Sequence, residues 1–195
     1  MKQERRTLQS EFRVERREDG KKLIRGHAAV FNVETDLGWF RERIAPGAFR
    51  ESIETDDVRA LFNHDSNFVL GRNKAGTLVM REDERGLYVE IDPPDTQAAR
   101  DLVTSIERGD ISQMSFGFQT IKDSWESEEN AAKDLRTLEK VKLWDVSPVT
   151  FPAYQETDVA VRSHECWSHS KVEPLRYKPF LERLQREKNE LHKRR

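Results

Sequence analysis

Two residues about fifty positions apart are the first with the means to do chemistry. His64 ends the run Ala60-Leu61-Phe62-Asn63-His64-Asp65, and Ser115 sits in Ile111-Ser112-Gln113-Met114-Ser115-Phe116-Gly117-Phe118. A serine hydroxyl is a weak nucleophile until a neighbouring base takes its proton. Imidazole suits that role because its ordinary pKa lies near neutrality. A third group must orient the ring and stabilise its charged form. The segment Leu138–Tyr154 offers two acids for this, Glu139 and Asp145, among apolar neighbours. They are six residues apart, so a regular strand puts both on one face and parity does not choose between them. The chemistry this set would support is nucleophilic hydrolysis. His27 is a second candidate base. Ser112 is a competing nucleophile, but strand alternation turns it to the face opposite Ser115. Spacing alone leaves both Ser115 and His64 with ordinary alternatives, a sheet hydroxyl and a surface imidazole.

These residues need strands to bring them together, and the sequence supplies strands. The 195 residues are 35% hydrophobic and 36% charged, which suits a core of about 140 residues with polar extensions. Phe12–Val14 and Leu23–Phe31 read as a hairpin about Glu18–Lys21. Phe40–Ile44 reads as extended, Ala45–Phe49 as a turn, Phe49–Ile53 as a short helix and Val58–Phe62 as a buried strand. Val69–Arg72 and Thr77–Met80 are expected to form a hairpin turning at Lys74–Gly76, and Leu87–Ile91 alternates as a strand. Asp95–Arg108 is the best helix: Asp95 or Thr96 caps it, Ala98, Leu102, Val103 and Ile106 share a face, and Gly109 ends it. Ile111–Ile121 and Leu138–Thr150 are further strands, and Trp125–Lys133 is expected to be a loop. Many short strands with one or two helices suggest an α+β, mainly β, or closed-barrel architecture.

Charge and cysteine content narrow the function classes. The net charge is −2, which makes no case for nucleic acid over the whole chain. From Lys171 to Arg195, nine Lys/Arg face four Glu, a surplus of +5, leaving −7 on the remainder. Phe180–Arg194 favours a helix with only a thin apolar stripe (Phe180, Leu181, Leu184, Leu191), which reads as a docking or mobile segment. One cysteine, Cys166, excludes an internal disulfide and fits a reducing compartment. It lies between His164 and His169, but the stretch lacks the four spaced ligands of a stable zinc site. No metal or other cofactor is expected. No apolar run reaches membrane-spanning length and no signal peptide opens the chain.

Several motifs in order carry a family resemblance. They are Gly26-His27-Ala28-Ala29-Val30-Phe31-Asn32, Glu42-Arg43-Ile44-Ala45-Pro46-Gly47-Ala48-Phe49, Leu61-Phe62-Asn63-His64-Asp65 and Leu70-Gly71-Arg72. The Ser115 segment and Asp145-Val146-Ser147-Pro148-Val149-Thr150-Phe151-Pro152-Ala153-Tyr154 complete the series. Over roughly residues 10–162 the chain resembles the prohead proteases of tailed bacteriophages, a family similar in fold to the herpesvirus maturational protease. The resemblance implies a closed β-barrel wrapped by helices, with a protease domain at 1–162 and a polar linker and basic helical tail at 163–195. It places His64 and Ser115 on the family's histidine and serine and favours Asp145 as the third member. Lys140 stands where many relatives carry a glutamate, which keeps the neighbouring Glu139 as the alternative. The backbone N–H of Val149 is a candidate oxyanion donor, since Pro148 has none, and Arg72 is a possible electrostatic helper. The implied function is a serine endopeptidase that cuts the scaffolding segment of the major capsid protein, and usually itself. It would act first in the host cytoplasm and then inside the prohead, as a homo-oligomer in some relatives. The alternatives are a catalytically inactive barrel serving capsid assembly and, less well supported, a nucleic-acid module using the tail.

Overall fold

The computed structural model describes residues 3–9, 12–127 and 133–151. The tail at 163–195, with Cys166, His164 and His169, lies outside them. Among the described residues, eleven strands and two α-helices follow in this order: β1 (Glu4–Gln9), β2 (Arg13–Arg16), β3 (Lys22–Val30), β4 (Thr35–Asp36), β5 (Arg41–Ile44), α1 (Arg50–Thr55), β6 (Arg59–Phe62), β7 (Asp65–Arg72), β8 (Leu78–Glu82), β9 (Gly86–Ile91), α2 (Gln97–Arg108), β10 (Gln113–Glu126) and β11 (Leu135–Val149). The protein is therefore mainly β with few helices. The strands pair as two sheets. One has seven strands, with β1-β10-β11-β5-β4 as its path and β6 and β7 attached through β11; the other runs β2-β3-β9-β8. Hydrogen bonding among the described residues does not close these sheets into the single ring of a barrel.

The two long strands β10 and β11 form the spine, paired antiparallel from Gln113↔Val149 to Glu126↔Leu135. The far edge of β11 has its backbone groups met in three successive ways. Leu135–Leu138 pairs parallel with β5. Val141 N–H then donates to Ala48 O (3.0 Å), and Leu143 N–H to Ser52 Oγ on α1 (2.7 Å). Finally Asp145 and Val146 pair parallel with Arg59 and Ala60 of β6. These bonds tie β11 to its neighbours on both sides of the site.

One apolar cluster draws on both sheets. Ile24, Leu87, Val89 and Ile91 meet Met114, Phe116, Phe118, Val141 and Val146, and Ala99, Leu102, Val103 and Ile106 of α2 join them. Helix α2 keeps its expected place, except that it buries Ala99 where the pattern named Ala98, which is exposed. Thr96 Oγ1 caps it by accepting from Ala99 N–H (3.3 Å), and Gly109 ends it at φ 83°. Phe49 meets Phe116 edge-on at 5.5 Å between ring centres, which fixes the middle of β10 from below.

Two sequence expectations need correcting. Val69–Arg72 and Thr77–Met80 do not form a hairpin, because β7 pairs with β6 and β8 with β9, in different sheets. A 3-10 turn at Asn73–Ala75, closed by Gly76 at φ 73°, sends the chain from one sheet to the other. Trp125 is not in a loop. It lies in β10, its ring edge-on to Phe40 at 4.9 Å. The strand β1 was not foreseen: Glu4-Arg5-Arg6-Thr7 is too charged to show an apolar alternation.

Candidate active site

His64 is positioned by a tight turn. Phe62 of β6 pairs with Asp65 of β7, so Asn63 and His64 make a two-residue hairpin loop, at φ 53° and 58°. Two positive φ values in succession are what a type I′ hairpin turn requires. Asn and His are among the non-glycine residues that enter this region most readily, yet each position still carries strain, of about 1–3 kcal/mol. Three bonds pin the turn to the end of β11. Asn63 N–H donates to Pro148 O (3.0 Å), Thr150 N–H donates to Asn63 Oδ1 (2.9 Å), and Asn63 Nδ2 donates to Thr150 Oγ1 (3.2 Å). Being partly exposed, they contribute roughly 0.5 kcal/mol each, which offsets part of the strain. The turn aims the imidazole back along β11.

The ring lands between two chemically matched partners. Its Nε2 is 2.7 Å from Ser115 Oγ, and its Nδ1 is 2.5 Å from Asp145 Oδ1. Ser115 is on β10 directly opposite Ser147 of β11, and Asp145 is two residues before Ser147. Ser147 Oγ donates to Asp145 Oδ1 (2.8 Å), and Gln3 Nε2 donates to Oδ2 (3.2 Å). Asp145 thus accepts from three groups while only 4% exposed. That arrangement satisfies a buried carboxylate and turns its remaining charge toward the ring. With Nδ1–H bonded to the acid, Nε2 is the ring atom free to accept the Ser115 proton.

Gly117 makes room for this acid. It lies opposite Asp145, and a Cβ there would collide with the Asp145 carboxylate and, at 2.5 Å, with Gln3 Nε2. Ser115 Oγ also lies 2.9 Å from the carbonyl oxygen of Arg6 on β1. The hydroxyl has one hydrogen, so Arg6 O and His64 Nε2 compete for it.

Most other candidates are held elsewhere. Glu139 is ion-paired with Lys122 (2.6 Å). Burial is its lesser influence: the hydrogen bonds from Lys122 and Ser124 keep its carboxyl below the ordinary glutamate value. The parity that tied Glu139 to Asp145 is broken by a bulge. Gly117 pairs with Asp145 but Phe118 with Leu143, so Trp144 is an extra residue. Ser112 is exposed and precedes β10. His27 bonds Asp83 (2.9 Å) and stands edge-on to Tyr88. Arg72 makes a two-pronged pair with Asp57 (2.8 and 2.7 Å), whose carboxyl it holds at about 2. Val149 lies opposite Gln113, two residues beyond the Ser115–Ser147 pair. Sequence reasoning missed the side chains of Gln3, Ser147 and the role of Gly117. Ser147 was the readable one, since Asp145-Val146-Ser147 places two polar groups on one face among apolar residues.

Comparison with known proteins gives this site a setting. A family model described as caudovirus prohead serine protease matches residues 10–172. The chain belongs to that family. The prohead protease of Enterobacteria phage HK97 is 33% identical over 147 residues, covering 73% of this chain and 61% of that protein. The chain thus aligns with less than two thirds of that relative's length. Among solved structures, the bacteriophage T4 capsid assembly protease is similar over 76% of this chain and 99% of its own. The TM-score is 0.46 and the sequence identity 13%.

Proposed function

We propose that this prohead-protease-family chain is a serine endopeptidase in which Ser115 is the nucleophile, His64 the general base and acid, and Asp145 the group that orients His64. The observation that carries the reading is the imidazole bridging Ser115 Oγ at 2.7 Å and Asp145 Oδ1 at 2.5 Å. In the acylation step the Oγ–carbon bond forms and the Oγ proton passes to His64 Nε2. The peptide C–N bond then breaks and the same proton goes to the leaving amine. Water, deprotonated by His64, hydrolyses the ester and returns Ser115 to its starting form. Asp145 stays ionised and stabilises the imidazolium formed in between. The oxyanion of the tetrahedral intermediate needs an N–H donor near the β10–β11 strand end, and the amide of Val149 is the one we assign.

The substrate class follows from the family. The HK97 relative is named a prohead protease, and a major capsid protein with its scaffolding segment is the target that name suggests for this chain. Self-cleavage, a homo-oligomer, and transfer from host cytoplasm to prohead interior belong to the same reading. Confinement would raise the local concentration of enzyme and target. A herpesvirus-protease-like barrel is the finer fold reading that goes with it. An inactive assembly barrel would have no need for a strained histidine turn aimed at a hydroxyl. The test is co-expression with the cognate capsid protein followed by mass spectrometry. Defined fragments that vanish in Ser115→Ala and His64→Ala are expected; fragments unchanged in both variants would contradict the assignment.

A further inference from the structure

Strand β1 lies antiparallel along one edge of β10, with Arg6 opposite Phe116 and Thr7 opposite Ser115. The other edge of β10 is taken by β11 over its whole length. An extended peptide can therefore approach Ser115 along β10 only on the side where β1 now lies. The pose of β1 is informative because it brings the Arg6 carbonyl to Ser115, its oxygen accepting a hydrogen bond from Oγ (2.9 Å). A bond to be cut must place its carbonyl at this same point and turn its carbon to Oγ once the proton has gone to His64.

Two side chains of β1 enter a buried, charged recess. Glu4 and Arg6 are two apart, so both lie on one face of the strand. Glu4 Oε2 meets Arg136 Nη1 (3.0 Å), and Glu4 Oε1 accepts from Thr120 Oγ1 (2.7 Å). Arg6 Nε and Nη2 meet the two oxygens of Glu42 (2.6 and 2.9 Å), and Nη2 also reaches Glu4 Oε2 (2.9 Å). Arg136 and Glu42 bond each other (3.0 Å), and Arg136 Nε meets Asp123 (2.6 Å). The fixed half of this cluster is closed from water, with Arg136 only 2% and Glu42 only 4% exposed. Burial alone would raise the Glu4 carboxyl; Arg136 and Arg6 outweigh it and hold Glu4 below the ordinary glutamate value.

Charge accounting separates the two halves. Glu4 and Arg6 together are neutral, so a strand carrying both can leave while Arg136 keeps Glu42 and Asp123. A different strand laid on the same edge, without an acid and a base at these places, leaves a donor of Arg136 and an oxygen of Glu42 buried and unmatched. Sites built to pair a polar group discriminate strongly against ligands that lack it.

We propose that Glu42, Arg136 and Thr120 determine the specificity of this site, selecting a peptide strand with a basic residue immediately before the cut bond and an acidic residue two positions earlier. This rests on the protease reading of Ser115. In the cleavage so directed, Ser115 Oγ bonds to the carbonyl carbon of the basic residue. The C–N bond that follows it breaks, and His64 carries the proton to the departing amine.

A proteome-derived peptide library, incubated with the full chain and in parallel with Ser115→Ala, tests this directly. Ser115-dependent products are expected to be enriched at least tenfold in Lys or Arg at the position before the cut and in Asp or Glu two earlier. Glu42→Gln should move the first preference away from basic residues. Ser115-dependent cuts with no preference at either position would overturn the proposal and leave the protease reading standing. No cuts, or cuts unchanged in Ser115→Ala, would overturn the protease reading and the proposal with it. Should Glu42→Gln fail to fold, the wild-type chain suffices. A synthetic peptide of residues 2–10 should inhibit library cleavage at least tenfold more strongly than the same peptide with Glu4→Gln or Arg6→Met, and equal or absent inhibition contradicts the proposal.

Discussion

The protein holds two histidine–carboxylate pairs within its described residues that look alike on a list of contacts and differ in what surrounds them. His27 meets Asp83 at 2.9 Å, with side-chain exposures of 13% and 35%. His64 meets Asp145 at 2.5 Å, with exposures of 5% and 6%. His27 lies in strand β3 opposite Tyr88, beside a register shift, and its Nε2 is the nitrogen that meets the carboxylate. His64 sits in a strained turn, uses Nδ1 for the acid and so keeps Nε2 for Ser115. The lesson is that a histidine beside an acid is common and inert. Reactivity needs the second nitrogen aimed at a nucleophile, in a place dry enough for the charges to matter.

Substitutions at the two pairs should separate them by orders of magnitude. His64→Ala and Ser115→Ala should each lower kcat on the capsid substrate proposed above by about 10⁴-fold or more, with the circular dichroism spectrum unchanged. His27→Ala should stay within about twofold of wild type, as a residue outside the reacting set does. A comparable loss from His27→Ala would erase the distinction. The acids come next. Asp145→Asn should cost about 10³–10⁴ in kcat by leaving the imidazole in the wrong tautomer, whereas Asp83→Asn and Glu139→Gln should leave the rate near wild type. A large loss in Glu139→Gln with Asp145→Asn active would reassign the third member.

Smaller effects sharpen the comparison. Gly117→Ala would push the Asp145 carboxylate and Gln3 out of place, and a drop of about 1–3 kcal/mol in denaturant stability with a lower kcat is expected. Ser147→Ala removes one of the three donors to Asp145 and should lower kcat about tenfold while KM stays level. Equal activity would show that His64 and Gln3 hold the acid alone. Acid should loosen β1 before the spine. Glu4 has its carboxyl lowered in the folded state, so its contribution is present above the ordinary glutamate value of 4.5 and is lost as pH falls through the lower folded value. Protection of the 4–9 amides, relative to their intrinsic exchange rates, should fall as pH drops below 4.5, ahead of that in β10 and β11; a uniform loss of protection would contradict the link.

Much of this arrangement was legible in the residues, and the exceptions have physical causes. Helix α2 could be read from cap to stop because Thr96, the apolar face and Gly109 all act locally. The long strands β10 and β11 could be read from their apolar content. Ser115 and His64 were singled out by type and family motif, but nothing local says that the hairpin tip at Asn63–His64 folds back over β11. That depends on bonds to Pro148 and Thr150, more than eighty residues away. The choice between Asp145 and Glu139 was hidden because a bulge at Trp144 breaks strand parity, and bulges leave little trace in a single sequence. β1 was invisible for a different reason: its inward residues, Glu4 and Arg6, are charged, and their burial depends on Glu42 and Arg136 from distant strands. The hairpin wrongly expected at residues 69–80 had the turn chemistry of a hairpin, but used it to change sheets.

A double-substitution cycle tests the central claim most directly. kcat/KM is measured on the proposed capsid substrate for wild type, Ser115→Ala, His64→Ala and the double variant. If the hydroxyl and the imidazole act as one unit, the double variant is no slower than either single one. Losses that multiply would show the two side chains acting independently, and would contradict this account of the site.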